Sequence, residues 1–551
     1  MKGAARFVRT VLAEHLLLAG VLLLALAVRV VVARQDHVLQ GDEGAYLWLG
    51  RTLMSGGGYQ FFGRPELHYT PGYPIVSGLV WLAVRDLELA SKICFVLFGT
   101  LTILPVYFLA RRMYGRLSGL IIAGLLAVMP VFTTHVFFWG SMSEPLYFFL
   151  VFAAVWCAVW AMERGPWWAY LLCGALFSAA YLTRPEALAY VALTAGYLLL
   201  LSMLERRPLD GFAKIFPMLL IFLGVASPYL LFLHRHLGTW SLTGKTWIAF
   251  VGHHALVEGD LVAFDRIVWG LDSTGLEVLY HSMEKFTKYS MWREIISNPQ
   301  EFLVDTLRNV RQLDGLFLSK RVFPSFLLPL VGLGLFRSRW NARRARNEVY
   351  LLLMAVLPAL AMAVFTVDLR FYLGTLIILV IWAGHGIVEL GDWLALTASK
   401  LLSGERLEQW AGRLRLAAAG LLAVVLAGYF LIMYPMLIQE GLGNKLFYYK
   451  HVGLWLGEHS RPAERVMSRG AIPAIYAERF WVPFPHADYD DVLRYARAHD
   501  VDYWIINERE FRLMRPHLAF LADAAQLPAE LEWVQGFEGP AGRTVVLRMR
   551  K

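Results

Sequence analysis

About eleven stretches of roughly 20 apolar residues recur along this 551-residue chain, and that recurrence limits the fold more than any motif does. Each is long enough for an α-helix to cross a bilayer, where every backbone N–H and C=O has to be satisfied inside the segment. The stretches lie near 12–33, 92–110, 117–138, 144–162, 168–183, 187–204, 215–233, 321–336, 348–366, 371–393 and 414–438. With 58% hydrophobic and 17% charged residues and a mean hydropathy of +0.50, a single soluble core is excluded. The chain reads as an α-helical polytopic membrane protein with about eleven transmembrane helices. The first stretch follows Lys2, Arg6 and Arg9 and ends in Val30-Val31-Val32-Ala33-Arg34 without a small-residue cleavage site, so it reads as a retained anchor.

The formal charge of +9 would suggest a nucleic-acid partner in a soluble chain. Here the basic residues cluster in short segments between apolar stretches, where they orient spans, and no nucleic-acid partner is expected. A cytoplasmic N-terminus predicts basic residues in every second loop. They occur there as Arg111-Arg112 and Arg116, Arg164, Arg206-Arg207 and Lys214, Arg337 to Arg346, and Lys400 to Arg415. An odd number of spans then places the C-terminus outside the membrane. The polar character is left to the outer loops: 34–91, Trp139 to Pro145, Thr183-Arg184-Pro185-Glu186, 234–320, Asp368-Leu369-Arg370, and the tail after about 440. The cysteines Cys94, Cys157 and Cys173 fall inside apolar stretches without CxxC spacing and read as small core residues.

The division expected is a transmembrane region, 1–439, and an extracytoplasmic α/β domain, 440–551. In the first outer loop, Ala45 to Met54 and Ile75 to Val84 have the character of interfacial helices, separated by the breakers Gly56-Gly57-Gly58 and Pro71-Gly72-Tyr73-Pro74. In the tail, Arg465 to Met467, Ala474 to Tyr476, Tyr503 to Ile506 and Thr544 to Met549 read as strands, and Asp490 to His499 as an amphipathic helix. The 234–320 segment is long for a loop and holds Trp247, His253-His254, Tyr280 and Trp292, which fits a cover over a site or an interfacial aromatic belt.

Four features together carry a resemblance. These are an acidic pair, Asp42-Glu43, opening the first outer loop; a Pro-Gly-Tyr-Pro turn leading into a second apolar helix; Thr183-Arg184-Pro185-Glu186 at a span mouth; and Arg370-Phe371-Tyr372 opening a late span. The chain resembles GT-C glycosyltransferases, in particular the group with the protein O-mannosyltransferases and the lipid A aminoarabinose transferase. The resemblance implies transfer of a hexosyl or pentosyl group from a polyprenyl-phosphate donor to a lipid, glycan or protein acceptor on the outer side of the bacterial inner membrane. It implies inversion at the anomeric centre, contact with membrane lipids, and Asp42 at the base position with Glu43 beside it as orienter or loop holder.

The chemistry asks for such groups. A single displacement needs a base for the acceptor proton and a cationic cradle for the departing lipid phosphate. Asp42 serves the first need or, compatibly, caps a helix starting near Glu43. Arg184 and Arg370 serve the second, since guanidinium forks bind phosphate and positive-inside statistics do not ask for them at outer span ends; snorkelling to head groups is the other reading. Tyr372 belongs with Arg370, and Arg64 and Lys92 are weaker cationic candidates. In Glu66-Leu67-His68-Tyr69, related enzymes carry an acidic then a basic residue; here a histidine stands in that region, and Glu66 and His68 are candidate substrate contacts, a surface histidine being the other reading of His68. Glu144 starts a span and either faces the same cavity or favours a helix dipole. Asp42, Glu43, His68 and Glu144 could hold a divalent cation, but no spacing demands one, and no metal or other cofactor is expected to be required. The alternative function is a transporter or flippase for lipid-linked or small polar solutes, which would place ionisable groups near mid-span rather than at outer ends. An envelope scaffold gives no reason for these charges to converge.

Overall fold

The computed structural model describes residues 2–140, 143–245, 255, 259–288, 291–365, 367–401, 405–539 and 542–550. The apolar stretches all form helices. Among the described residues eight helices are long and apolar enough to cross a membrane, nine if one bent pair counts as a span. The stretches near 168–183 and 321–336 form the shorter apolar helices Trp168–Thr183 and Ser325–Phe336.

Helix α1 (Lys2–Ala33) exposes Leu12, Leu16, Leu17 and Leu23, as a lipid-facing span must, and buries Ala25, Arg29 and Val32. Beyond it, Gly41 at φ +57° turns the chain into α2 (Asp42–Met54). Gly41 therefore occupies the N-cap, Asp42 is the first helical residue, and its side chain makes no capping bond, which corrects the capping role considered for it. A two-stranded hairpin, β1 (Gln60–Phe61) with β2 (Arg64–Pro65), precedes α3 (Gly72–Val84). Helices α2 and α3 pack backbone to backbone, because a Cβ on Gly50 would stand 2.5 Å from the Pro74 carbonyl oxygen and one on Gly78 2.5 Å from that of Gly50. Both expected interfacial helices are present, each starting about three residues earlier than its apolar pattern.

Next come α4 (Leu87–Leu101), α5 (Ile103–Tyr114) and α6 (Arg116–Val128), whose span breaks by 68° before Pro130 and resumes toward α7 (Thr134–Gly140). Proline lacks the N–H that would continue the ladder. The carbonyls of Leu126 and Ala127, orphaned by the break, accept instead from the Arg29 guanidinium at 3.4 Å. Helices α8 (Glu144–Arg164), α9 (Trp168–Thr183), α10 (Ala187–Leu204) and α11 (Pro208–Leu237) follow. The later spans lie in Ala342–Ala363, Leu369–Leu401 and Glu405–Gly443. Within 234–320, the end of α11 is followed by Leu261–Trp269, Glu284–Lys288, Met291–Ser297 and Pro299–Phe317. Trp247, His253, His254 and the Trp292 side chain lie outside the described residues.

At one end of the bundle the basic loops are paired with acids: Glu14 with Arg111 and Arg116, and Glu163 with Arg112 and Arg343. Glu14 stands near the start of α1, whereas Asp42 lies just past its other end. The two sets are thus separated by the helical run from Glu14 to Ala33, about 28 Å at about 1.5 Å per residue.

The C-terminal region is a five-stranded mixed sheet in the order β4-β3-β5-β7-β6, from β3 (Arg465–Ser468), β4 (Phe480–Pro483), β5 (Val501–Asn507), β6 (Leu531–Phe537) and β7 (Thr544–Met549). Strand β3 runs parallel to β4 and β5, and β7 antiparallel to β5 and β6. The expected strand at Ala474 to Tyr476 is instead inside the helix Ile472–Ala477. Pro473 in its first turn favours a helix start, and an apolar run this short shows no periodicity that separates strand from helix. Strands β4 and β6 carried no sequence expectation. The C-terminal region docks on the first outer loop through its helices: Leu39 N–H donates to the Tyr476 hydroxyl at 2.9 Å, and Lys450 Nζ, in the helix Phe447–His459, reaches the His37 carbonyl at 3.1 Å and Glu88 at 2.6 Å. The three cysteines are free and buried.

Candidate active site

Between the bundle mouth and the sheet lies a cavity of about 770 Å³, of the size that holds small molecules and cofactors. Leu188, Ala189, Pro358, Ala361 and Met362 from membrane helices make an aliphatic wall. Phe61, Phe264, Trp269, Tyr280 and Trp481 make an aromatic one. Asp42, His68, Arg184, Glu186, Lys245, Arg370 and Arg469 line it as well.

Asp42 is engaged at both oxygens. Tyr69 O–H donates to Oδ1 at 2.9 Å and Arg370 Nη1 to Oδ2 at 3.1 Å. Burial alone would raise its pKa, but Arg370, then Lys245 and His68, with the Tyr69 hydrogen bond, outweigh it and hold the carboxyl well below its ordinary range. It is a carboxylate at any physiological pH.

Its neighbour faces elsewhere, since adjacent helical residues diverge by about 100°. Glu43 is fully buried off the cavity, accepting from His37 Nε2 at 2.9 and 3.1 Å and from the Ser91 hydroxyl. Burial pushes its pKa up, and His37, Lys445 and Ser91 together bring it below the ordinary value. This geometry matches a loop holder and not a group in contact with a cavity ligand.

The cations converge around one ring. Arg184 lies 5.0 Å, Arg370 4.7 Å and Lys245 6.0 Å from the Phe371 centroid. An aromatic face attracts each cation and so offsets part of their mutual repulsion. Arg184 is placed by the end of α9, where the following Pro185 keeps it extended at φ −152°, ψ 130°. Glu144 accepts from its Nη1 at 2.5 Å and Glu186 from its Nη2 at 3.4 Å. Burial disfavours the charged Lys245, and Arg184 and Arg370 add to that, so its pKa sits below the ordinary lysine value despite attraction from Glu186 and Asp42.

His68 is on the cavity wall, and burial, helped by Lys245, takes its pKa down to about 3, which leaves it neutral and no counter-charge for phosphate. Glu66 is buried off the cavity, accepting the backbone N–H groups of His68 at 2.6 Å and Tyr69 at 3.0 Å, so it shapes the turn that delivers Tyr69 to Asp42. Glu144 reaches the cavity only through Arg184. Tyr372 points away: it is buried and meets Phe317 edge-on at 5.6 Å, while Phe371, one residue earlier, faces the cavity. Arg64 pairs with Glu277 and Lys92 donates to the Gln35 carbonyl. Asp42, Glu43, His68 and Glu144 do not form one cluster, and among the described residues no group of three or more His, Cys, Asp or Glu could hold a metal ion. Lys245, Tyr69 and Arg469 carried no sequence expectation.

No curated protein matches the sequence. The dolichyl-phosphate-mannose-protein mannosyltransferase family profile matches residues 70–232. Among solved structures, ArnT from Cupriavidus metallidurans bound to undecaprenyl phosphate superposes with a TM-score of 0.61 at 13% identity, over 96% of this chain and 97% of that one. The Archaeoglobus fulgidus oligosaccharyltransferase gives 0.59 at 13% identity, over 96% and 72%. The arabinofuranosyltransferase AftD from Mycobacteria gives 0.52 at 12% identity, over 97% of this chain and 40% of that one. These likenesses span nearly the whole of this chain, whose apolar helices and C-terminal sheet they take in together, and the chain is a membrane protein of the GT-C glycosyltransferase fold.

Proposed function

We propose that the protein transfers a glycosyl group from a polyprenyl-phosphate donor to an acceptor hydroxyl or amine, in a single inverting displacement with Asp42 as base. The observation that carries this reading is the ring of Arg184, Arg370 and Lys245 around Phe371, with Asp42 in contact with one of them and an aliphatic wall alongside. The aliphatic wall suits a polyprenyl chain, and the cations suit the phosphate. As the acceptor atom bonds to the anomeric carbon, its proton passes to Asp42 and the bond from that carbon to the phosphate oxygen breaks, leaving its electron pair on the lipid phosphate. The cations stabilise the charge that develops there. Tyr69 holds Asp42 in place, and Glu144 and Glu186 hold Arg184.

In this reading the basic loops at the Glu14 end are cytoplasmic, and the cavity and sheet lie outside the inner membrane. The ligands of similar structures agree in kind: ArnT holds undecaprenyl phosphate, and the Archaeoglobus fulgidus oligosaccharyltransferase holds dolichol phosphate with an inhibitory peptide. The charges that line the cavity lie together at one end of the bundle rather than along a path through it, which favours chemistry over transport. The test is purified protein in liposomes given labelled polyprenyl-phosphate hexoses and pentoses, with and without cell-envelope extract as acceptor. Consumption of one donor, releasing polyprenyl phosphate, is expected. Consumption of none, together with movement of a lipid-linked or polar solute across the liposome membrane, would overturn the reading.

A further inference from the structure

The first span contains an arginine that the active site does not obviously need. Arg29 is 2% exposed, and its three hydrogen bonds go to the Ala25, Leu126 and Ala127 carbonyls. Two of these are the orphaned carbonyls at the end of α6, so Nη1 and Nη2 cap the broken span. A helix end supplies roughly half a unit of negative charge, which leaves much of the guanidinium charge unbalanced in a medium that tolerates it poorly. Among the described residues Nε has no hydrogen-bond partner, and it faces Gly99, where a Cβ would come within 2.7 Å of it.

That side of Arg29 opens on a second cavity of about 30 Å³, enough for about two water molecules. Its lining includes one carboxylate, Glu144, whose Oε2 is buried without a partner among the described residues while Oε1 accepts from Arg184. Two orphaned groups of opposite charge thus share one small polar-ended space, and the carboxylate is the one that holds a cation of the main cavity.

We infer that Arg29 is a positioning residue of the phosphate site: through water in this second cavity it balances Glu144, so that Arg184, flanked by two glutamates, keeps enough of its charge for an anionic ligand. With Arg29 the buried set Arg29, Glu144, Arg184 and Glu186 is neutral; without it the set is net negative beside the phosphate. This rests on the reading of Arg184 as a phosphate ligand.

The test is a double-mutant cycle with Arg29→Met and Glu144→Gln, measuring undecaprenyl-phosphate affinity in detergent by native mass spectrometry, with thermal unfolding alongside. Arg29→Met is expected to weaken binding about tenfold in the wild-type background and under about threefold in Glu144→Gln, a coupling of the size seen between interacting charges. Arg29→Lys is expected to keep most of the affinity while lowering the unfolding temperature, because it retains the charge but loses the fork that caps α6. Equal losses in both backgrounds, or an Arg29→Lys protein that binds as poorly as Arg29→Met, would confine Arg29 to capping and overturn the inference. A wild-type protein that binds no undecaprenyl phosphate would instead overturn the proposed function, and this inference with it.

Discussion

Replacing Asp42 by asparagine separates the two effects of this side chain: it serves as a proton acceptor and it occupies Arg370. Asparagine keeps the size and still accepts from Tyr69 O–H, now 2.9 Å from Oδ1, so α2 should stay in place. What it loses is the charge. A positioned base contributes about 10²–10⁴ in rate, so kcat is expected to fall by that factor, about 3–5 kcal/mol in the barrier. Donor binding should move the other way. In the wild type the phosphate has to compete with Asp42 for Arg370 Nη1, 3.1 Å away, in a pair whose side chains are 17% and 26% exposed. Partial exposure screens that attraction, and its removal is expected to tighten polyprenyl-phosphate binding by about tenfold or less. The assay is single-turnover transfer from a labelled donor at saturation, paired with direct measurement of polyprenyl-phosphate affinity. Transfer within about tenfold of wild type would refute Asp42 as base. Weaker donor binding would refute the competition for Arg370.

Other outcomes follow from the same geometry. Arg184→Gln strands the buried carboxylate of Glu144 and should destabilise the protein by about 3–5 kcal/mol as well as abolish donor binding, whereas Arg370→Gln, more exposed, should lose donor binding with a smaller drop in unfolding temperature. Because Asp42 is held ionised well below the ordinary range and His68 stays neutral down to about pH 3, neither should reduce the transfer rate between pH 7 and 5; an acid limb that Asp42→Glu shifts would contradict this. Burial lowers the Lys445 pKa to about 8, below its unfolded value. The unfolded chain therefore binds more protons above pH 8, and unfolding temperature should rise from pH 8 toward 10 by an increment that Lys445→Met removes. Gly50→Ala should push α2 from α3, costing about 1–3 kcal/mol of stability and shifting Asp42 enough to slow transfer, with thermal unfolding and kcat as the measurements.

Most of the long apolar helices were legible because length and apolarity state directly what a helix needs in a bilayer, whereas the stretches near 168–183 and 321–336, expected as spans, form shorter helices among the described residues. The bend before Pro130 was legible in principle from its proline, but not the arginine from another span that caps it. Asp42, Arg184 and Arg370 could be singled out as charges without a topological reason to be there, and they converge on one cavity. Glu43 and Tyr372 were grouped with their neighbours by adjacency, although a helix turns adjacent residues to different faces. Lys245 stands in Leu242-Thr243-Gly244-Lys245, a stretch without periodicity, and only the fold brings it to Phe371. For the same reason Glu144 reads from sequence as an acid at a helix start, when its partner lies 40 residues on.

The cavity wall draws on residues from Gly41 to Trp481. Synthesis runs from the N-terminus, so the candidate base is made early, Arg184 midway, and Arg370 and the sheet late. A nascent chain stalled before residue 370 would carry the carboxylate without its ion-pair partner Arg370 and without a closed binding space. Spreading one site across most of the polypeptide thus ties the assembly of the whole cavity to the completion of membrane insertion, so that on the proposed function half-made copies would leave a lipid-linked donor untouched.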